Sequence, residues 1–218
     1  MDKAAQLAFT EGASRLGLNL GSEVFPALEI WADELLKWNA RVNLTAITQP
    51  LEVVEKHLLD SLAVLPEVAG ATTLLDLGAG AGLPGIPLAV ALPGLSVTMV
   101  DAVNKKVAFL KHVIVKLGLT GRARAVHLRA AGTPAAENLS RAEVVIARAL
   151  MDLEQWVPFA LPYLAYGGRL VAMLARPPAE SKLEQLARTH GLRLISLRAF
   201  TLPASGDPRS VAVFQSGS

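Results

Sequence analysis

Apolar residues recur every three or four positions through the first 70 residues of this chain. This spacing places them on one face of a helix, so it predicts helices that each bury a single apolar stripe. Gly17 and Ser22 are typical of a helix end and a helix start, and Pro50 is favoured in a first helical turn. We therefore predict an N-terminal helical extension over residues 1–70, with helices at Asp2–Leu16, Glu23–Ala40 and Leu51–Leu65.

The pattern changes after residue 71 to short apolar runs that are separated by helical segments. Such runs are typical of buried strands, and their alternation with helices predicts an α/β fold with a mostly parallel sheet. The last two strands have no helix between them, which predicts a hairpin-like pair and a seven-stranded mixed sheet. The predicted strands are Thr73–Leu77, Leu95–Val100, Arg122–Arg129, Glu143–Ala147, Arg169–Leu174, Leu192–Thr201 and Ser210–Phe214. The predicted helices are Leu83–Leu92, Asn104–Leu117, Asp152–Leu164 and Glu180–Thr189.

A glycine-rich loop follows the first predicted strand, and we expect the rest of the chain to be arranged around it. Gly78, Gly80 and Gly82 stand at alternate positions, just after Asp76 in the strand. Because glycine has no Cβ, such a loop can turn sharply and let its backbone approach a ligand closely. Asp101 ends the second strand about twenty residues later, where nucleotide-binding α/β folds hold the hydroxyls of a ribose.

Asp76 indicates which kind of nucleotide the loop binds. A second carboxylate beside the loop would repel a pyrophosphate, but it would suit a ligand that carries an ammonium group and no phosphate. S-adenosylmethionine (SAM) is such a ligand, with a ribose for Asp101 and a cationic amino-acid end for Asp76. A glycine-rich turn without any ligand is the alternative. A P-loop and a short-chain dehydrogenase are excluded, because the chain has neither Gly-x-x-x-x-Gly-Lys-Ser/Thr nor Tyr-x-x-x-Lys.

Composition narrows the classes of function. A length of 218 residues with 52% hydrophobic content is enough for one α/β domain with an extension. The chain has no cysteine, which excludes disulfides, thiol nucleophiles and thiolate metal sites and suits the cytoplasm. A net charge of +2 permits an RNA partner without requiring one. Leu77 to Val100 is uncharged, but glycines and prolines interrupt it, so we expect no membrane span and see no signal peptide.

A polar group interrupts the apolar face of the third predicted helix. His57, Asp60 and Ser61 are spaced by three and four residues, which places them together on that face. A Ser-His-Asp triad is one interpretation, but no strained nucleophile turn or oxyanion hole accompanies it. A hydrogen-bonded cluster that holds the extension to the sheet is favoured, and a role in shaping the substrate entrance is the alternative.

Several motifs, taken together, cover nearly the whole chain. The specific ones are His57-Leu-Leu-Asp60-Ser61-Leu62 and the run Leu83-Pro-Gly-Ile-Pro87 after the glycine loop. The supporting ones are Trp38-Asn39, Asn43-Leu-Thr45, Asp101, Lys105-Lys106, Phe109-Leu110, Ala147-Arg148-Ala149 and Arg209. On these motifs the chain resembles the small-subunit (16S) rRNA guanine-N7 methyltransferase family, also called glucose-inhibited division protein B. The resemblance implies a class I SAM-dependent methyltransferase fold, Rossmann-like, in which a core over residues 71–218 follows the extension.

The resemblance also implies which residues contact SAM. Those in the glycine loop and after the second, third and fourth strands are Gly78, Leu83, Asp101, Ala102, Val103, Ala130, Ala131 and Arg148. Arg148 would lie near both the cofactor and the target base.

The chain departs from the family pattern at three places. Ala131 stands where the family usually has an acid, so a side-chain contact to the adenine is in doubt. Leu174-Ala175 replace a common Lys-Gly, so a phosphate contact moves to Arg176 or is lost. The usual acid-Arg pair near the C-terminus is Asp207-Pro208-Arg209, with an inserted proline.

The chemistry of the target can be narrowed independently of the resemblance. Methylases of exocyclic amines carry an Asn/Asp-Pro-Pro-aromatic motif after the fourth strand, where this chain has Ala147-Arg148-Ala149-Leu150. Carbon-5 methylation of pyrimidines needs a cysteine nucleophile, which is absent. Guanine N7 carries a free lone pair and no proton, so its methylation needs orientation and no general base. We expect Arg148 to hold guanine O6, a phosphate or the carboxylate of the cofactor.

Two classes of function remain open. The favoured one is methyl transfer from SAM to guanine N7 in 16S rRNA, with another substrate as the fallback; the other is a non-catalytic module that binds SAM or RNA. The expected partner is 16S rRNA or the small ribosomal subunit, and we expect a cytoplasmic monomer without a metal or membrane contact. The candidate residues for RNA contact are Asn43, His57, Asp60, Ser61, Arg176 and Arg209.

Overall fold

The computed structural model describes residues 1–148 and 151–217. The strands are β1 (Thr73–Leu77), β2 (Ser96–Asp101), β3 (Ala123–His127), β4 (Ala142–Arg148), β5 (Leu164–Leu174), β6 (Leu192–Thr201) and β7 (Pro208–Ser216). The helices are α1 (Lys3–Arg15), α2 (Val24–Asn39), α3 (Pro50–Val53), α4 (Asp60–Leu62), α5 (Leu65–Val68), α6 (Gly85–Ala91), α7 (Asn104–Lys116), α8 (Leu153–Ala160) and α9 (Glu180–Thr189). Ala149 and Leu150, which belong to the segment compared above with the amine-methylase motif, lie outside the described residues.

The sheet has seven strands in the order β3-β2-β1-β4-β5-β7-β6, which confirms the predicted mixed sheet. Neighbouring strands from β3 to β5 pair in parallel, whereas β7 is antiparallel to both β5 and β6. Strand order reverses between β1 and β4, because the chain proceeds from β1 toward one edge and from β4 toward the other. Ligands of open α/β sheets bind at the carboxyl ends of the strands at such a reversal point.

The third predicted helix is interrupted. The expected helix Leu51–Leu65 is a four-residue α3, a π-helical turn at Val54–Leu59 and a short α4. Periodicity could not reveal the turn, because a π-turn adds one residue without breaking the apolar pattern locally. Such turns are frequent at functional sites, and this one contains His57 and precedes Asp60 directly.

Other element bounds also differ from the prediction. Strand β5 begins at Leu164, five residues before the expected Arg169, and so includes the Gly167-Gly168 pair. Helix α8 accordingly ends at Ala160, where Leu161–Tyr163 continues as a 3-10 turn. The expected strand from Arg122 to Arg129 is shorter, and the expected one from Ser210 to Phe214 is longer. Helix α6 begins two residues later than expected, after a cis peptide bond between Leu83 and Pro84.

The helical extension and the sheet domain share one hydrophobic core. Phe9 of α1, Trp31 of α2 and Leu58 of the π-turn belong to the same buried cluster as Leu74 of β1 and Phe109 of α7. A second cluster covers the other face of the sheet. Burial of this apolar surface is the main favourable term that holds the extension against the sheet.

Candidate active site

A cavity of about 510 Å³ lies at the carboxyl ends of β1 and β2. Its floor is the glycine loop, and its walls come from the ends of β2, β3 and β4 and from the extension. The lining residues are Leu44, Thr45, His57, Leu77, Gly78, Ala79, Gly80, Ala81, Leu83, Val100, Asp101, Ala102, Lys106, Leu128, Arg129, Ala130, Arg148, Met151 and Phe159. The volume falls in the ~300–1,000 Å³ range of small-molecule sites.

Gly80 and Gly82 of the glycine loop are required for different structural reasons. Gly80 lines the cavity with a φ of +59°, a left-handed conformation that strains other residues. Gly82 does not line the cavity, and a Cβ added to it would come within 2.5 Å of the Ile86 side chain. Gly82 is therefore needed for packing the loop onto α6, while Gly80 keeps the backbone open toward the cavity.

Asp101 lines the cavity and organises the loops on both sides of it. Its Oδ2 accepts a hydrogen bond from the Gly80 backbone N–H at 2.9 Å, and its Oδ1 accepts one from the Val103 N–H at 2.8 Å. The Lys106 Nζ lies 4.0 Å from Oδ2. Carboxylate oxygens have further lone pairs, so these bonds leave Asp101 able to accept more donors. Ala102 also lines the cavity, whereas Val103 does not.

Asp76 lies beneath the cavity floor and is not among the lining residues. The side chain is fully buried, and its Oδ2 accepts a hydrogen bond from the Gly85 N–H at 2.9 Å. Its Oδ1 is buried with no hydrogen-bond partner in the described part of the chain. Burial raises the pKa of Asp76 to about 7, against the opposing effects of the Gly85 N–H and of Arg148. An unpaired, buried carboxylate oxygen is ready to receive a cationic donor.

Trp31 connects the extension to the glycine loop. Its indole Nε1 donates a hydrogen bond to the Ala81 backbone oxygen at 3.0 Å, and the whole residue is buried. The sequence pattern identified Trp31 only as part of an apolar stripe. Its hydrogen bond could not be predicted from the sequence, because the acceptor, Ala81, is 50 residues away in the chain.

Arg148 lies at the end of β4 and points toward the extension. Its Nη1 donates to the Lys56 backbone oxygen at 3.0 Å and to Asp60 Oδ2 at 3.3 Å. Arg209 of β7 donates from Nε to Asp60 Oδ1 at 3.2 Å. Asp60 therefore joins the extension to two strands of the sheet. His57 and Ser61, the other members of the predicted cluster, make no side-chain bond to the sheet among the described residues. Burial raises the pKa of Asp60, and the two arginines oppose this effect.

His57 has a different partner from the one its spacing suggested. Its Nε2 lies 2.9 Å from Thr45 Oγ1, and the structure describes no bond from it to Asp60. Burial, together with the nearby Arg148 charge, lowers the pKa of His57 to about 4. The ring is therefore neutral at pH 7. The Asn39 side chain holds the neighbouring loop, because its Oδ1 accepts from the Leu44 and Thr45 N–H groups at 2.8 and 3.0 Å.

Several predicted candidates stand apart from the cavity. Ser61 is fully buried and its hydroxyl has no partner among the described residues. Asn43 and Arg176 are exposed, and neither lines this cavity. Ala130 lines it but Ala131 does not. The Ala131 N–H donates to Glu137 Oε1 at 2.6 Å, so the carboxylate of Glu137, which sequence reasoning missed, already takes the backbone donor at this position.

A second cavity of about 360 Å³ adjoins the first at the carboxyl end of β5. His57 and Arg148 line both cavities and so form the wall between them. The other lining residues are Ile47, Lys56, Asp60, Met173, Leu174, Ala175, Phe200, Arg209, Ser210 and Val211.

Residues 1–148 and 151–217 contain no group of three or more His, Asp or Glu side chains placed to hold a metal ion. No helix in this part of the chain has the length and apolar character needed to cross a membrane.

Comparison with known proteins identifies relatives over most of the chain. The family model described as rRNA small subunit methyltransferase G (GidB) matches residues 25–202. A protein of Myxococcus xanthus named ribosomal RNA small subunit methyltransferase G is 57% identical over 203 residues, which are 93% of each chain. A protein of the same name from Anaeromyxobacter sp. is 50% identical and covers 97% of this chain and 98% of its own.

Solved structures share the fold at lower identity. A methyltransferase from Burkholderia thailandensis that acts on 1,6-didemethyltoxoflavin, solved with S-adenosylhomocysteine, matches with a TM-score of 0.56 and 16% identity. The match covers 73% of this chain and 77% of that one. The C-terminal domain of precorrin-6Y C5,15-methyltransferase from Rhodobacter capsulatus matches with a TM-score of 0.52 and 24% identity, covering 71% and 87%. These likenesses confirm the class I methyltransferase fold that the sequence predicted.

Proposed function

This chain belongs to the rRNA small subunit methyltransferase G family, and we propose that it transfers a methyl group from SAM to nitrogen N7 of a guanine in 16S rRNA. The observation that carries the proposal is the first cavity, where the glycine loop, Asp101 and Arg148 meet at the reversal point of the sheet. Family membership agrees with this geometry, since the relatives carry the name of an rRNA methyltransferase.

The residues around the first cavity fit SAM. The unpaired Oδ1 of Asp76 suits the ammonium of the methionine part, because burial of an unpaired acceptor is costly until a donor arrives. Asp101 suits the ribose hydroxyls, since it lines the cavity and retains free lone pairs. When bound, SAM supplies an electrophilic methyl group on a sulfonium. We assign the surrounding cofactor contacts to Gly78, Gly80, Leu83, Ala102 and Ala130, all of which line the cavity.

The protein contributes orientation and charge to the reaction. With SAM held by Asp76 and Asp101, its methyl carbon would pass to the lone pair of guanine N7, which carries no proton to lose. A general base is therefore unnecessary, which agrees with the lowered pKa of His57, about 4, because it makes the ring a weak proton acceptor, and with the contact of its Nε2 to Thr45 Oγ1. Arg148, held by Asp60 and the Lys56 carbonyl, is our positioning residue for the base. Its fixed guanidinium can donate to guanine O6 while N7 stays free.

The partner and the setting complete the proposal. The substrate is 16S rRNA, either free or within the small subunit, and the chain acts as a monomer in the cytoplasm. Residues 71–218 form the SAM-binding core and residues 1–70 the extension that holds its loops. Exposed Asn43 and Arg176 are assigned to the RNA-facing rim.

Methyl transfer from labelled SAM tests the proposal. The acceptors are small ribosomal subunits and stripped rRNA, both from cells that lack this gene, and the product is mapped by chemical cleavage at 7-methylguanine. We expect label at one guanine of the small-subunit RNA. Subunits from wild-type cells, whose target is already methylated, are the matched control and should accept no label.

Two other outcomes would contradict the proposal in different ways. Label at a base other than guanine, or only in unrelated RNA, would overturn the substrate while keeping the enzyme class. If SAM does not bind in a direct calorimetric titration, the assignment of the first cavity is wrong.

A further inference from the structure

We propose that the second cavity, at the carboxyl end of β5, is the subsite that holds the target guanine after it has left its stack in the RNA. This inference rests on the proposed function, because it needs SAM in the first cavity and a nucleobase as the methyl acceptor. Beyond that function, it specifies where the target guanine binds and which side chain forms a hydrogen bond to it.

The position of the second cavity suits a methyl acceptor. The first cavity lies at the ends of β1 and β2, and the second lies at the end of β5, on the other side of β4. Arg148 at the end of β4 and His57 of the extension line both. A base in the second cavity can therefore present its N7 beside Arg148 to the methyl carbon of SAM held in the first, and a volume of about 360 Å³ is available for that base.

The apolar part of the lining suits the faces of a base. Phe200 is half-buried, and the Arg198 guanidinium lies 5.1 Å from its ring centroid. Single bases that have left a helix are held by aromatic and apolar side chains against their flat faces. The apolar residues of this lining are Ile47, Met173, Leu174, Phe200 and Val211.

A buried hydroxyl without a partner marks the polar contact. Ser210 of β7 lines the cavity and is 1% exposed, and its Oγ has no hydrogen-bond partner among the described residues. It stands opposite Leu174 in the β5–β7 register, so the strand backbone fixes its place at the end of β5. A hydroxyl both donates and accepts, so Ser210 can bond guanine O6 or the N1–H on the neighbouring edge. A buried polar group that lacks a partner is a group that a ligand can satisfy.

The charge of the lining suits the phosphates that flank the base. Among the described residues of the lining, Lys56, Arg148 and Arg209 are cations and Asp60 is the one acid, which leaves an excess of two positive charges. Asp60 pairs with both arginines, while Lys56 pairs with the partly exposed Glu52 at 2.9 Å. Such a rim attracts an RNA backbone without selecting its sequence.

Replacing Ser210 by threonine and by valine tests the inference. The two variants have nearly the same shape and differ in a hydroxyl against a methyl group, so a purely steric effect on methyl transfer would be similar in both. We expect Ser210→Thr to retain most methyl transfer to small subunits, and Ser210→Val to lose at least about tenfold in kcat/KM, since a site built to bond a polar group discriminates strongly when that bond is lost. The SAM Kd of the two variants should agree, and the Tm of Ser210→Val should be no lower than that of Ser210→Thr, because valine buries no unpaired hydroxyl.

Equal kcat/KM in the two variants would overturn the assignment of Ser210. A parallel loss of SAM affinity in Ser210→Val would also overturn it, because the effect would then act through the first cavity. Wild-type protein that binds SAM but transfers no methyl group to any subunit would refute the proposed function itself.

Photocrosslinking supplies a measurement that does not depend on the fold of a variant. Small-subunit RNA carrying sparse 6-thioguanine, from cells that lack the gene, is irradiated with wild-type protein and S-adenosylhomocysteine. We expect crosslinked peptides from β5 or β7, which line the second cavity. Crosslinks confined to other parts of the chain would show that the base binds elsewhere.

Discussion

Asp60 Oδ2 accepts a hydrogen bond from Arg148 Nη1 at 3.3 Å, and the two residues are 88 positions apart in the chain. The Asp60 side chain is nearly buried, and its other oxygen accepts from Arg209. One carboxylate thus fixes the arginine that lies between the two cavities. The helical extension therefore helps to form the cavity walls, because it supplies the carboxylate that holds Arg148.

Asp60→Asn should lower kcat for methyl transfer by about ten- to a hundredfold with little change in SAM affinity, because a misplaced positioning group costs mainly orientation. It should also destabilise the protein by ~1–3 kcal/mol, since the two partly exposed arginines lose a charged hydrogen-bond acceptor. Single-turnover kinetics and urea unfolding measure the two effects.

Glu67→Gln is the matched control for the Asp60→Asn variant. Glu67 is also a buried carboxylate of the extension that pairs with an arginine of the sheet, Arg198, at 2.7 and 3.0 Å. It lines neither cavity. Stability should fall in this variant while kcat is retained. If the two variants retained kcat equally, Asp60 would have only a structural role.

Asp76→Asn should make the protein more stable and yet bind SAM more weakly. Burial raises the pKa of Asp76 from 3.8 to about 7, so the contribution of this group to stability is complete below pH 4 and is lost as the pH rises to 7. Between pH 4 and 7 the free energy of unfolding of the variant should rise relative to that of wild type, by at most ~1.4 kcal/mol for each pH unit. Above pH 7 the difference between the two proteins should stay constant.

Urea unfolding without SAM, at several pH values between 4 and 8.5, measures this dependence. Calorimetry at pH 8 should show that the more stable variant binds SAM more weakly than wild type, because it lacks a negative charge for the ammonium of SAM. A pH-independent stability difference would mean that Asp76 does not titrate in this range. Unchanged SAM affinity would remove Asp76 from the proposed cofactor contacts.

Trp31→Phe should weaken SAM binding about five- to tenfold and lower stability by ~1–2 kcal/mol, because it breaks the bond to the Ala81 oxygen that holds the glycine loop. Calorimetry and thermal unfolding measure the two effects. Trp156→Phe is the control, since Trp156 is 2% exposed and its Nε1 has no partner in the described residues. Its indole N–H can be removed without loss of a bond. A similar loss of SAM affinity in both variants would refute the role of the Trp31 hydrogen bond.

Gly80→Ala should abolish measurable SAM binding, because the side chain strains the loop at a φ of +59° and adds a methyl group to the cavity lining. Gly17→Ala carries a comparable strain at a φ of +67°, with no atom near its Cβ and no place in either cavity. Both should cost ~1–2 kcal/mol in stability. Titration with SAM separates them, and weakened binding in Gly17→Ala would show that stability alone explains the effect.

The amino-acid sequence by itself determined the class of fold and the place of the cofactor loop. Apolar periodicity is a local property, so the order of strands and helices could be read directly, and the glycines with Asp101 marked the carboxyl ends of β1 and β2. The predicted start of strand β5 was wrong. The strand begins before Gly167, because pairing with β4 overrides the preference of single residues.

Only the tertiary structure decided which side chains meet. His57 and Asp60 share a helical face, yet His57 bonds Thr45 and Asp60 bonds Arg148, since their partners come from loops and strands that periodicity cannot position. The depth of Asp76, and therefore its raised pKa, depends on the packing of α6 over it. The second cavity likewise exists only where the ends of β5 and β7 approach the extension, because a cavity is formed by distant segments and leaves no pattern in any one of them.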